Sequence, residues 1–356
     1  MEKRVILMGA GAAYLHNGPS CSTITQTLVD KLPICADIYS ILTEYYGKNR
    51  CNFETILASI EYLLYSTERL YGETLYSDTL IPVFYERKTN YSEQQLKETF
   101  IETINIIINL ISSYSTQRSE EIDKLLLEYI DADNFSTKVY SLNYDRIIPL
   151  IYEKNNINFC DGTNPHGAFR CSIEEFINHT KTFYNLHGNI YLKQNPWLLY
   201  EVTQGTNVHF LSQLRELEGG NPHNRTYFSP IISGYSKTQR LLSQPFSYGL
   251  ACFAHDLQDC TRLDIVGYSF SDPHINSMLK SFGEFSNKEV NIIDYIPQNL
   301  NVEFKIEEIA QDLSWYYRRL PNNWLKEGNS YIFGTHRLRI YIDGFESYLK
   351  SIQSTN

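Results

Sequence analysis

The sequence predicts an α/β layer fold in which a parallel sheet is interrupted by one long helical segment. Three observations carry this. Short strand-like runs recur at Val5–Met8, Lys138–Leu142, Phe183–Leu186, Leu263–Val266 and Val290–Asp294, with Gly, Pro, Asn or Asp nearby. Helical spacing separates the later runs, and such alternation is the signature of helices packed on a sheet. Between about 37 and 133 the strand signal fades. Apolar residues there fall three and four apart: Ile56, Ile60, Leu63 and Leu64, then Ile104, Ile107, Ile108 and Ile111, then Ile122, Leu125, Leu126 and Ile130.

The elements follow in order. Val5–Met8 reads as a buried strand that ends in the tight turn Gly9-Ala10-Gly11. Ser20 or Ser22 caps a helix running to about Leu32. After the helical segment the strands return, with Tyr227–Ser233 as a further candidate, and Lys237–Leu257 reads as a helix. Residues 1–300 then form one nucleotide-binding domain, interrupted by a helical insertion at 37–133. Residues 301–356 form a C-terminal extension packed on the core or on a partner. The aromatic residues Trp315, Tyr316, Tyr317, Trp324, Tyr331 and Phe333 are its candidate contacts, against the alternative of ordinary core packing.

Composition excludes several classes. The chain is 42% hydrophobic and 20% charged, which suits a globular protein rather than a disordered one. Its formal net charge of −10 argues against general nucleic-acid binding, which usually needs a basic surface. The seven cysteines (Cys21, Cys35, Cys51, Cys160, Cys171, Cys252 and Cys260) are scattered and never spaced C-x-x-C. That usage fits a reducing compartment and gives no reason to expect structural zinc. Lys3 and Arg4 before the apolar run to Leu15 mimic a secretion signal, but the run holds two glycines and lacks a cleavage site. No stretch approaches the roughly 20 apolar residues of a membrane span. The expectation is a cytoplasmic protein with neither a membrane nor a nucleic-acid partner.

Four short motifs close predicted strands, where ligands of open α/β sheets bind. Gly9-Ala10-Gly11 would let backbone approach a pyrophosphate, with the next helix offering N–H groups. Position 14 is Tyr14 where a dehydrogenase fingerprint needs glycine, and no acidic residue ends a second strand. A ligand-free tight turn remains the alternative. Ser141-Leu142-Asn143-Tyr144-Asp145 offers Asn143 and Asp145 to ribose hydroxyls or water, although both residue types are common in plain turns. Asn185-Leu186-His187-Gly188 offers a histidine base near neutral pH, beside the alternative of a structural His. Gly267-Tyr268-Ser269-Phe270-Ser271-Asp272-Pro273 offers serine hydroxyls to phosphate or ribose. Its Asp272-Pro273 pair reads as a helix cap.

The order of the four motifs is more specific than any one of them. It resembles the sirtuin-like proteins of bacterial antiphage defence, which hydrolyse NAD. The likeness covers about the first 20 residues, 137–190 and 225–296, and includes Gly234-Tyr235-Ser236-Lys237 before a helix. It implies a Rossmann-like, sirtuin-type sheet and an NAD glycohydrolase that releases nicotinamide and ADP-ribose. Asn143 and His187 match the catalytic pair. Gly9, Ala10 and Gly11 match the phosphate loop, Gly267 and Ser269 the second nucleotide loop, and Asp145 the acidic partner of the Asn. Asp294 lies where the family contacts the adenosine half. NAD is the substrate, and no metal is implied. Protein-deacylating sirtuins carry a zinc ribbon with two C-x-x-C pairs between the His and the Gly-x-Ser strand. Here only Cys252 and Cys260 lie there, which counts against a deacylase. A non-catalytic sensor of NAD or a derivative is the other reading, opposed by the retained Asn143 and His187. Restraint of an NAD-degrading enzyme implies a homo-oligomer or a co-encoded regulatory subunit, such as an ATPase or a nucleotide-processing enzyme.

Overall fold

The computed structural model describes residues 2–67, 91–132, 135–163, 167–169, 172–194, 200–203, 207–213, 216–217, 226–233, 237–280, 288–297, 300, 302, 304–305, 308, 324–333 and 338–353. Trp315, Tyr316, Tyr317, Cys171 and Gly234-Tyr235-Ser236 lie outside them. The strands are β1 (Glu2–Met8), β2 (Phe135–Ser141), β3 (Lys181–Asn185), β4 (Leu192–Gln194), β5 (Tyr200–Val202), β6 (Glu216–Leu217), β7 (Thr226–Tyr227), β8 (Arg262–Val266), β9 (Glu289–Ile293), β10 (Trp324–Glu327), β11 (Ser330–Phe333) and β12 (Leu338–Tyr341).

Eight strands form one sheet in the order β10-β11-β12-β9-β8-β1-β2-β3. The six from β12 to β3 pair in parallel, and β11 and β10 add an antiparallel edge. From β1 the chain steps outward through β2 to β3, then returns beside β1 as β8 and steps the other way. This doubly wound order makes the sheet Rossmann-like. It opens a crevice at the C-terminal ends of β1 and β8, where the order reverses. The chain after residue 300, expected as an extension, supplies three strands of the same sheet and the helix Phe345–Gln353. Tyr227–Ser233, expected as a strand, is one only at Thr226–Tyr227; beyond it Ile231 bridges Gly188.

Strand alternation explains why both faces are covered. Val5 and Leu7 enter one apolar cluster, while Ile6 and Met8 enter another. The helices are α1 (Cys21–Lys31), α2 (Pro33–Tyr46), α3 (Phe53–Thr67), α4 (Glu93–Thr116), α5 (Glu120–Ile130), α6 (Ile147–Lys154), α7 (Ile173–Asn178), α8 (Lys237–Leu241), α9 (Phe246–Asp259), α10 (Pro273–Lys280) and α11 (Phe345–Gln353). Ser20 caps α1, its hydroxyl accepting from the Thr23 N–H at 2.9 Å. The described residues between α1 and β2 are helical except for short connections, and α3 packs on α1 and α4. The helix expected over Lys237–Leu257 is two, α8 and α9, divided at residues 242–245. Among the described residues no helix is long and apolar enough to cross a membrane.

A buried charge cluster ties the sheet to these helices. Asp264 on β8 lies 2.8 Å from Arg4 Nη2 and 2.9 Å from Arg262 Nε. It also accepts from Tyr129 Oη at 2.7 Å and Asn291 Nδ2 at 2.8 Å. Burial opposes its ionisation, but Arg4 and Arg262 outweigh that and hold its pKa at about 2. A carboxyl depressed on folding stabilises fully above its unfolded pKa of about 3.9 and loses that contribution as pH falls through about 2. Asp264→Asn is therefore expected to cost about 3–5 kcal/mol at neutral pH, because it leaves Arg4 buried without its counter-charge. Urea unfolding checks this. The gap between variant and wild type should narrow as the pH falls from about 4 toward 2.

Candidate active site

The sheet register brings the predicted residues to one edge. Met8 of β1 pairs with Ser141 of β2 and Val266 of β8; Ser141 pairs with Asn185 of β3, and Val266 with Ile293 of β9. Five connections thus leave the sheet along one line, and every predicted site residue sits on one of them; the tight turn expected at Gly9-Ala10-Gly11 is the start of a 3-10 helix, Ala10–His16.

At the centre two glycine loops touch. Gly11 N–H donates to the Gly267 carbonyl at 2.8 Å, and Gly9 N–H to the Val266 carbonyl at 2.8 Å. A Cβ on Gly9 would lie 2.6 Å from the Gly267 oxygen, and one on Gly11 2.7 Å from the Gly267 Cα. These glycines are needed for loop-on-loop packing whether or not a phosphate binds. Gly267 also has φ +57, and a Cβ there would meet Ala12 N at 2.4 Å. Gly328 has nearly the same φ, +58, with nothing within 4 Å. Gly328→Ala is expected to cost only the left-handed strain of about 1–2 kcal/mol. Gly267→Ala should cost clearly more, a difference that thermal melting of the two variants checks.

Two cavities flank this contact. One, of about 410 Å³, is lined by Gly9, Ala10, Tyr144, His187, Ser269 and Asp272, together with Glu54 and aromatic side chains of α3 and α4. The other, of about 550 Å³, is lined by Gly11, Gly267, Asp294 and Asp343. The half-buried Asp294 has its pKa raised by burial. Asn143 and Asp145 line neither. They border a small cavity of about 20 Å³ with His16.

His187 is 4% exposed. Its Nε2 lies 3.2 Å from Asp272 Oδ2, within ion-pair distance but outside hydrogen-bond alignment. Burial pushes its pKa below the usual imidazole value, the Asp272 contact opposes this, and the Lys237 ammonium reinforces it. Neutral imidazole is the form that can accept a proton. Asp272 is the cap expected at α10, its Oδ1 accepting from the His274 N–H at 2.9 Å. Its Oδ2 serves the cavity, 2.7 Å from Lys237 Nζ. Burial would raise the Asp272 pKa, yet His187 and Lys237 hold it well below the carboxylate range. His187 is fixed by its backbone, whose carbonyl accepts from the Ile232 N–H at 2.7 Å. Gly188 follows at φ +78, where a Cβ would strike the Pro230 oxygen at 2.4 Å.

Asn143 is half-buried and donates from Nδ2 to the Gly9 carbonyl at 3.0 Å, joining the β2 loop to the glycine loop. Asp145 accepts from Tyr114 Oη at 2.6 Å and from the Ile147 N–H at 3.0 Å. In this structure it ties the β2 loop to α4 and starts α6.

Several residues of the site carry no functional signal in the sequence. Asn185 donates to the carbonyls of Asn143 at 2.9 Å and Asp145 at 2.8 Å and so locks the turn between them. Lys237 reaches Asp272 from α8. Glu54 had no signal, since a carboxylate in the first turn of a helix is ordinary.

Among the described residues no group of three or more His, Cys, Asp and Glu side chains could hold a metal ion. Burial raises the thiol pKa of Cys252 and of Cys260 to about 12, so both are neutral thiols at ordinary pH. No protein-family model matches the chain, and no curated protein matches it.

Proposed function

We propose that this protein is a sirtuin-like NAD glycohydrolase that cleaves the bond between nicotinamide and ribose. The observation that carries the reading is His187. It is a buried imidazole favoured in its neutral form, faced by the Asp272 carboxylate, in a cavity beside touching glycine loops at the reversal of strand order. Cavities on both sides of that contact offer room for the two halves of a dinucleotide, nicotinamide riboside toward His187 and adenosine toward Asp294. The diphosphate would cross at Gly9, Ala10, Gly11, Gly267 and Ser269.

The chemistry balances with these groups. The C–N bond electrons leave with the pyridinium nitrogen, so nicotinamide departs neutral and the ribose becomes an oxocarbenium ion. Water adds to that cation and gives its proton to His187, and the Asp272 carboxylate favours the imidazolium formed. Asn143 holds the ribose edge of the glycine loop through Gly9. The products are nicotinamide and ADP-ribose.

In antiphage defence such an enzyme would deplete NAD and would have to be restrained, by self-assembly or by a co-encoded subunit. Light scattering, alone and with the co-encoded proteins, should give a species larger than a monomer. A strict monomer in every case would remove assembly as the restraint. The reading itself is tested by chromatography of NAD incubated with purified protein. Nicotinamide is expected without any acylated peptide, and a strict need for an acyl-lysine peptide would overturn the reading.

A further inference from the structure

The cavity lined by His187 also contains a carboxylate, Glu54, that takes no part in the proposed hydrolysis. Among the described residues lining it, the formally charged side chains are Glu54, Asp272 and Lys237. Two carboxylates face one ammonium, and burial favours His187 as the neutral form, so this wall carries one uncompensated negative charge.

The contacts locate that charge. Asp272 is committed, with Oδ1 on the first turn of α10 and Oδ2 at 2.7 Å from Lys237 Nζ. Glu54 is held more loosely. Its Oε2 is 3.6 Å from Lys237 Nζ and its Oε1 accepts from Tyr144 Oη at 3.4 Å. A carboxylate offers about four lone-pair sites, so accepting capacity remains, and the Glu54 side chain is 34% exposed beside the cavity. Its position is nevertheless built. Two helical turns along α3, buried Glu61 pairs with Arg240 of α8 at 3.1 Å, one turn beyond Lys237. Two opposite-charge pairs on matching faces therefore fasten α3 to α8 and hold Glu54 at the cavity wall.

We propose that Glu54 is a catalytic residue that contacts the cationic half of the substrate, attracting the pyridinium-bearing ribose on binding and the oxocarbenium ion as it forms. The proposal rests on the NAD reading. A negative charge held in place beside the site acts on developing positive charge with little reorganisation. It also makes α3, from the helical segment between β1 and β2, part of the catalytic apparatus.

The test compares NAD with NADH, whose dihydronicotinamide ring is neutral. Binding is measured by calorimetry in a His187→Ala background, so that turnover does not intrude. The background protein should bind NAD about tenfold more tightly than NADH. Adding Glu54→Gln should abolish most of that preference while leaving NADH affinity within about twofold, and Glu54→Asp should restore part of it. Lys237 keeps Asp272 in the Gln variant, so no buried ammonium is stranded. Equal loss of both affinities, or an unchanged preference, would overturn the proposal. If nicotinamide release fails in wild type while the preference persists and depends on Glu54, hydrolysis falls and the Glu54 contact stands. If neither nucleotide binds, both fall.

Discussion

His187→Ala is expected to lower nicotinamide release by about 100-fold or more while leaving the fold intact. The side chain projects from a strand-end loop whose backbone is held by Ile232 N–H and by Gly188 against Pro230, and neither contact uses the imidazole. The variant also leaves Asp272 its Lys237 partner, so no buried carboxylate is stranded. Circular dichroism and thermal melting should therefore resemble wild type. A pH profile separates a base from a structural histidine. Burial lowers the His187 pKa, so wild-type rate should hold as the pH falls past the ordinary imidazole value of about 6.5 and decline only below it. The same shift acts on stability. The contribution is complete above the unfolded pKa and is lost as pH falls toward the lower folded value, because the unfolded chain takes up the proton first. Near-normal turnover in folded His187→Ala would remove the assignment.

The second large effect is expected at Asn143. Asn143→Ala deletes the Nδ2 bond to the Gly9 carbonyl but leaves the Asn143 carbonyl with Asn185. The turn should keep its shape while the glycine loop loses its tie to β2. A fall in turnover of about 100-fold is expected, since small displacements of positioning groups carry penalties of that size. In the structure Asn143 borders the 20 Å³ cavity rather than the one lined by His187. An effect through Gly9 should appear in both KM and kcat, whereas direct stabilisation of the reacting ribose should appear in kcat alone. Folded variant with unchanged rate constants would contradict both.

The parts legible in sequence share a physical cause. A parallel sheet covered on both faces needs mostly apolar strands, so Val5–Met8 announces itself, as do Leu263–Val266 and Val290–Ile293 despite one polar residue each, Asp264 and Asn291, and their register lines up the loops that follow. Loop residues at those ends were visible for the same reason, and Gly9, Ala10, His187 and Ser269 line one cavity together. Side-chain direction was not legible. Asn143 and Asp145 lie within two residues of Tyr144, which lines the His187 cavity, yet both border a different void. Contacts between distant segments were also out of reach. Glu54, Lys237 and Asp272 meet only because α3 and α8 converge over the crevice, and no local pattern encodes that. The strands after residue 300 were hidden by their length, four residues each.

Hydrolysis of NAD at the His187 cavity can be followed by a mass balance. Purified wild-type protein and His187→Ala are incubated with NAD, alone and with the co-encoded proteins, and the mixture is resolved by chromatography. Equal amounts of nicotinamide and ADP-ribose are expected from wild type, and at least about 100-fold less from the variant. NAD left intact by the folded wild-type protein under every one of these conditions would contradict it.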